Sequence, residues 1–311
     1  MKAHLMFLEL PVRFKSNQAR AIFLLLISTA MFTGMAICIR KSALSIPIFE
    51  VVFFRNFLAA IIMVPILRSK GFGVLKMNNP KLFFIRALFG SIGMIAGFSA
   101  LTLIPLAQVT AIGFSTPIFL TIGAIIFLKE VVKVRRIIAI AVGFLGMLVI
   151  IQPGVVPISL GIVLAVSAAL CHSINGIVIK KLTRSESPDS IVAWMVIMLI
   201  PITLVPAIAS WEWPNFETWC FLWMMALFGT LAHMSLTRAY SLTEITSLQP
   251  LEFVKLPLAA VMAWLIFSEV PGIWTWLGGI IIFTSTAYIT HREVQVAKSS
   301  RPNHGYRESK F

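Results

Sequence analysis

Apolar residues in this chain fall in long runs rather than in alternation. Between breaks marked by charged residues, Pro, Gly and Asn, ten such runs follow one another. They extend roughly from Ala21 to Ile39, Pro47 to Leu67, Leu82 to Leu101, Leu106 to Leu128, Ile137 to Ile151, Leu160 to Ile179, Ile191 to Ala209, Thr218 to Ser241, Ile245 to Phe267 and Ile273 to Ile289. A helix crossing the hydrocarbon core of a bilayer needs about 20 predominantly apolar residues. The pattern therefore predicts an all-α polytopic membrane protein with ten transmembrane helices.

The runs also repeat. Ala87-Leu88-Phe89-Gly90 returns as Ala226-Leu227-Phe228-Gly229, and the same offset of 139 residues carries Glu130-Val131 onto Glu269-Val270. This register aligns Ser28 with Ser167, Lys41 with Lys180 and Phe114 with Phe253, and sets Glu50 against Asp189. The chain reads as a duplication: a first repeat over residues 21–153, a second over 159–292 and a polar tail over 293–311, divided at the turn around Gln152-Pro153-Gly154, which cannot continue a helix. Each repeat holds five spans. Because five is odd, the second repeat enters the membrane from the opposite side, the inverted-topology arrangement of many secondary transporters.

Composition agrees. With 59% hydrophobic residues, 12% charged residues and a mean hydropathy of +0.93, the chain carries more apolar surface than a soluble core can hide. The partner this implies is the lipid bilayer. A net charge of +14 would otherwise suggest nucleic acid, but of the 26 basic residues all except Arg40, Lys41, Arg55, Arg86 and Lys255 fall in segments on one side of the predicted topology. Basic residues gather on the cytoplasmic side, so both termini are expected there, and no nucleic-acid partner is needed. Cys38, Cys171 and Cys220 have neither paired spacing nor a metal pattern, so neither a disulfide framework nor a metal site is expected. Residues 1–20 are polar and basic, and the first apolar run reads as a retained span rather than a cleaved signal.

An ionisable side chain deep in a span costs at least about 2.5–3.5 kcal/mol, which makes each one a candidate site. Glu252 and Lys255 lie in the ninth run and share a face with Gln249. Their first-repeat counterparts are Gly113 and Thr116, while His233 and His172 answer to Met94 and Thr33. Polarity has been added to the second half alone, as the lining for a solute without two-fold symmetry requires. Two roles fit Lys255: substrate ligand, or neutralising partner of Glu252 three residues away.

Thr237 and Tyr240 recur with His233 at helical spacing, and Asn175 clusters with His172. Phe114 and Thr33 mark weaker lining faces in the fourth and first spans, where hydroxyls often bond back to their own helix. A proton-relay role for either histidine, and hence a proton as coupling ion, requires a partner such as Glu252. Arg55 sits mid-span with no acid on its own helix except Glu50 and needs a partner elsewhere, whereas Arg86, near the cytoplasmic boundary, is expected to snorkel. Glu130 and Glu269 end the fourth and ninth spans at equivalent positions, and with Arg55 and Pro117 they read as structural or gating residues. Pro117, Pro250 and Pro257 mark the fourth and ninth spans as places for bent or broken helices. Gly90, Gly93 and Gly97 form a small-residue face suited to close helix packing.

The stretch Phe98 to Ala111, followed by Ser115-Thr116-Pro117 and Leu128-Lys129-Glu130, resembles the first-repeat signature of ten-helix drug/metabolite transporters of the EamA type. Gly143-Phe144-Leu145-Gly146 before Gln152-Pro153-Gly154, and Ala239-Tyr240-Ser241-Leu242 with Glu252-Phe253 and Phe267-Ser268-Glu269, resemble its other parts. The resemblance covers about Ala21 to Arg292. It implies inner-membrane transport by alternating access through a cavity between spans one, three, four, six, eight and nine, with no cofactor. Glu50 to Arg55 and Leu251-Glu252-Phe253 also resemble a branch that includes S-adenosylmethionine uptake transporters; elsewhere the family moves amino acids, riboflavin or opine metallophores.

The expected function is therefore secondary transport of a small amphipathic or zwitterionic metabolite, S-adenosylmethionine or amino-acid-like, across a bacterial inner membrane. Export of amino acids, drugs or other metabolites is the alternative. An intramembrane enzyme using Ser115 with His172 or His233 is disfavoured, because no nucleophile-turn motif or metal cluster accompanies them. No phosphate-cradling loop is present, so coupling is to an ion, to exchange or to the solute's own gradient. Nothing in the sequence selects an oligomeric state.

Overall fold

The computed structural model describes residues 17–71, 75–116, 118–119, 122, 134–152, 157–242, 248, 251 and 254–299. Within them the chain is helical throughout, with no strand. Ten helices are α1 (Asn17–Ser42), α2 (Ile48–Lys70), α3 (Pro80–Leu103), α4 (Leu106–Gly113), α5 (Val134–Ile151), α6 (Leu160–Leu182), α7 (Pro188–Ile208), α8 (Phe216–Leu242), α9 (Lys255–Phe267) and α10 (Ile273–Ser299). Six of them, α1, α2, α3, α6, α7 and α8, are long and apolar enough to cross a membrane; α5, α9 and α10 carry shorter apolar segments. Large apolar side chains such as Phe84, Val205 and Leu265 stand exposed on the outer surface. A soluble protein does not tolerate so extended an apolar exterior, and lipid is the solvent that fits it.

Helix boundaries follow local chemistry. Ser159 and Ser187 cap α6 and α7, each side chain accepting from the backbone N–H three residues on. Pro80 and Pro188 sit in the first turns of α3 and α7, where a missing N–H costs nothing. The fourth run does not form one continuous helix: α4 stops at Gly113 and turns at Phe114 and Ser115 before helix resumes at Thr116. Pro117 has no N–H to offer the Gly113 carbonyl, and the Thr116 hydroxyl takes that carbonyl instead at 2.7 Å. In the ninth run, α9 begins only at Lys255, which places Pro257 in its first turn.

The linkers gather at two ends of the bundle. At end A, Glu269 after α9 pairs with Arg40 of α1 at 2.6 Å and accepts from the Leu106 N–H of α4 at 3.1 Å, while Glu50 accepts from the Glu212 N–H at 2.7 Å. Trp211 in the α7–α8 linker packs on Phe53 and Phe54 beside these contacts. At end B, the Glu186 carboxylate accepts from the backbone N–H groups of Asn78 and Asn79, and Arg238 pairs with Asp189 at 2.9 Å. The Lys180 ammonium donates to the Tyr240 carbonyl at 2.9 Å. Thus α1 finishes at end A and α6 at end B.

Packing is unchanged when the halves are exchanged. α1 packs on α8 and α3 on α6, a pair of pairs that swap; α2 packs on α7, α4 on α9 and α5 on α10, which map onto themselves. The α1–α2 and α6–α7 linkers carry the same backbone bonds at an offset of 140 residues, Ala43 to Ile39 matching Thr183 to Ile179 and Ile46 to Ser42 matching Glu186 to Leu182. One residue has entered the second half by this point relative to the 139-residue register.

The α5–α10 pair crosses glycine on glycine. A Cβ on Gly146 would meet the Gly278 carbonyl at 3.0 Å, and one on Gly278 would run into Ile150 and the Gly146 carbonyl at 2.5 Å. Small residues at such a crossing let the backbones touch and gain packing contacts that lipid cannot supply. Gly278→Val is therefore expected to lower thermal stability in detergent by about 1–3 kcal/mol. Because no described residue of α5 or α10 lines the central cavity, ligand affinity at 4 °C should be unaltered. An unchanged melting curve would refute the close crossing.

Candidate functional site

The exchanged helix pairs leave a cavity of about 310 Å³ at the centre of the bundle, at the lower end of the volumes that hold small metabolites. Its wall comes from α1, α3, α4, α6, α8 and the first residue of α9, joined by Arg55 of α2 and by Met195 and Leu199 of α7. The apolar part is built by Phe32, Met94, Phe98 and Phe114, the last on the same face as Thr110 and Gly113 of α4. Gly93 brings α3 onto α6, since a Cβ there would sit 2.8 Å from the Cys171 Cβ. Gly90 and Gly97 lie on the same stretch of wall, so this glycine face both packs and lines.

Cationic and imidazole groups share one region of that wall. Lys255, at the first position of α9, holds its ammonium 5.5 Å above the Phe32 ring, and the His233 ring meets the same phenyl edge-on at 5.0 Å. The His233 Nδ1 is buried without a hydrogen-bond partner among the described residues. His172 lies in the middle of α6, yet it is solvent-accessible, because it faces the cavity. Asn175, with its amide oriented to satisfy both neighbours, donates to the Arg86 carbonyl at 3.2 Å and accepts from the Gly90 N–H at 3.1 Å. Tyr240 closes the wall near end B, beside the bond from Lys180 to its carbonyl.

Two guanidiniums complete the arrangement. Among the described residues Arg55 is the largest fully buried side chain; its Nη1 donates to the Asn56 Oδ1 at 2.9 Å, while Nε and Nη2 have no partner there. Asn56 is held in turn by the Val52 carbonyl and the Met94 sulfur. Gly229 leaves room for Arg55, since a Cβ there would stand 3.3 Å from Nε. Arg86 is 3% exposed, and its Nη2 reaches only the Met195 sulfur, at 3.2 Å, with Nε unpartnered. The sequence expectation that Arg86 snorkels to the boundary is corrected: α7 covers the route outward, and the side chain turns inward to the cavity wall. Its distance of only six residues from the start of α3 made it look peripheral, and the cover supplied by Met195 has no trace in the local sequence.

Of the other residues singled out from sequence, Thr33 and Thr237 are buried off the cavity wall. The Thr33 hydroxyl donates to the Thr29 carbonyl one turn back, and Thr29 and Ser28 line the wall in its place. Glu269 works at end A, outside the cavity. Glu252, Gln249, Glu130 and Pro117 lie outside the described residues. Among the described residues no Asp or Glu lines the cavity, and no cluster of His, Cys, Asp and Glu is arranged to hold a metal ion.

Known proteins share this architecture. The model of the EamA-like transporter family matches residues 19–152 and again residues 159–291. A riboflavin transporter of Vibrio cholerae is 30% identical over 247 residues, covering 78% of this chain and 83% of that protein. An S-adenosylmethionine uptake transporter of Rickettsia felis is 31% identical over 245 residues, covering 79% and 83%. A solved structure at 16% identity covers 88% of this chain and 98% of its own, with a TM-score of 0.64, and so shares the fold. With both halves matched by one family model and relatives of this extent, the chain belongs to the EamA-like transporter family.

Proposed function

We propose that this protein is a secondary transporter that moves a small amphipathic or zwitterionic metabolite, S-adenosylmethionine or amino-acid-like, across the bacterial inner membrane by alternating access. The observation that carries this reading is the cavity itself. It lies between the halves, is walled by helices of both, and bears charge from one asymmetric set of residues, as a solute lacking two-fold symmetry requires. Ten crossings in two inverted repeats, residues 21–153 and 159–292, are supported by the exchange-invariant packing and by the opposite ends at which α1 and α6 finish. Basic residues concentrate at end B, which makes that end cytoplasmic, together with both termini.

In this reading α1 with α8 and α3 with α6 rock about the cavity, and contacts at ends A and B break in turn. Glu269 belongs to the end A closure and Glu130 to its counterpart. Lys255 and Glu252 face the polar part of the solute, with His233, His172, Tyr240 and Asn175 around it and Phe114 and Met94 against its apolar part. Thr237 and Gln249 support that lining, and a proton taken up by the polar cluster is the candidate coupling ion.

Reconstituted vesicles loaded in turn with labelled S-adenosylmethionine, aromatic amino acids and riboflavin test the function. Saturable, protein-dependent flux of at least one solute is expected, at least tenfold above empty vesicles. Flux that rises linearly with concentration for every solute would overturn the reading.

A further inference from the structure

Three basic residues fall inside the helical core of this chain, Arg55, Arg86 and Lys255, and all three line the central cavity. The two arginines are the more informative. A buried cation is stable when an acid pairs with it or when hydrogen bonds saturate it. Among the described residues Arg55 has one bond, to a neutral amide, and Arg86 has one, to a thioether, a weak acceptor. Neither has a carboxylate within salt-bridge distance among the described residues, and Arg55 and Arg86 lie within electrostatic reach of one another.

Architecture does not require either charge. At the 140-residue offset of the α1–α2 and α6–α7 segments the equivalent of Arg55 is Met195, and at the 139-residue offset of α3 and α8 that of Arg86 is Met225; both methionines are accommodated in the same packing. Gly229 leaves room for the flank of Arg55. Asn56 and Met195 hold one nitrogen of each fork and leave other donors unbonded at the wall. Guanidinium forks match planar and tetrahedral oxyanions with parallel N–H donors.

We propose that Arg55 and Arg86 form an oxyanion subsite, taking the carboxylate or phosphoryl group of a metabolite whose apolar portion lies against Phe32, Met94 and Phe114. This deepens the transport reading and rests on it for the route by which the ligand arrives. It narrows the expected solute from an amphipathic or zwitterionic metabolite to one that must bring a negative group. The His233 ring and the Lys255 ammonium, on the same wall, add positive potential around that group.

The test uses the full-length protein in lipid nanodiscs, with ligand-induced stabilisation as the binding readout and flux into vesicles as a separate one. Matched probes differ in the presence of the oxyanion: S-adenosylmethionine and its carboxamide, tryptophan and tryptophan amide, and riboflavin 5′-phosphate and riboflavin. The first two pairs test carboxylate and the third phosphoryl, so the preferred pair identifies the source of the oxyanion. At least one anionic member is expected to bind tenfold or more tightly than its neutral partner. Arg55→Gln and Arg86→Gln should each reduce that preference to less than threefold, while Arg55→Lys retains part of it.

Arg86→Met supplies the readout that a merely structural arginine would not give. Removing an unpaired buried charge is expected to leave the melting temperature of the ligand-free protein unchanged or raised, with the anion preference lost. Equal binding of both members in every pair, no stabilisation by any anionic probe, or a preference that survives both Gln variants would overturn the subsite. Anion-selective binding without flux would leave the subsite standing and remove the transport reading; flux that is indifferent to charge would do the reverse.

Discussion

Glu269→Ala is expected to raise the rate at which a cysteine placed at Leu101 is alkylated from the end A side by about 10 to 30-fold, and to cut transport at least tenfold. Leu101 lines the cavity below the contact that Glu269 makes. That carboxylate performs two tasks: it pairs with Arg40 at 2.6 Å, and it accepts from the Leu106 N–H at 3.1 Å, the first free donor of α4. Pro105 precedes α4 and offers no side-chain cap, so Glu269 supplies both the missing acceptor and a negative charge at the positive end of the helix. Arg40 is further held over the Phe267 ring at 4.7 Å. The pair itself keeps some contact with solvent, its side chains 16% and 24% exposed, and contributes little alone; the charge-assisted bond to the helix N-terminus brings the total to about 2 kcal/mol, or roughly 30-fold in a two-state equilibrium.

Glu269→Gln keeps an acceptor for Leu106 while losing the ion pair, and should fall between the wild type and Glu269→Ala. Labelling that stays constant across the series, in protein that still melts cooperatively, would show that end A is not closed by this contact.

The second large effect is expected at Lys255. Lys255→Met should reduce kcat/KM for the transported solute by at least tenfold, with Lys255→Arg recovering part of it. The reason is placement: the ammonium stands on the cavity wall above Phe32, within an apolar run where an ionisable group is costly. A cation kept in such a place calls for a solute or a neighbouring acid to offset that cost. The double variant Lys255→Met/Glu252→Gln separates the two. If the residues serve only to neutralise one another, the double variant transports as the wild type does. If each contacts the solute, the double variant is at least as impaired as the worse single one. Transport untouched in both single variants would remove this face from the site.

Much of this was legible in the linear chain, for definite physical reasons. Runs of about 20 apolar residues have one stable home, and the breaks between them gave the positions of α1, α2, α3, α6, α7 and α8 to within a few residues. Pro117 announced the interruption after α4, because a missing N–H is a local property. The cavity-lining positions of His172, His233 and Lys255 were signalled by the cost of placing such groups in a span. The same logic gave less for hydroxyls: Thr33 returns its hydrogen to its own helix, and Thr237 is buried between helices with its hydroxyl unbonded among the described residues, so neither reports the cavity.

The sequence by itself determined the solvent of this protein, the number and approximate limits of its apolar runs, and the internal repeat, since each depends on composition or on spacing along the chain. Only the tertiary structure decided which helices meet across the halves, that Arg86 is shut in by Met195 rather than free to reach the boundary, and that Arg55 and Arg86 lie within electrostatic reach of one another with no acid paired to either among the described residues. Those facts concern neighbours more than a hundred residues apart, or on different helices. A side chain's partners are set by the packing of whole helices, which no local pattern of polar and apolar residues records.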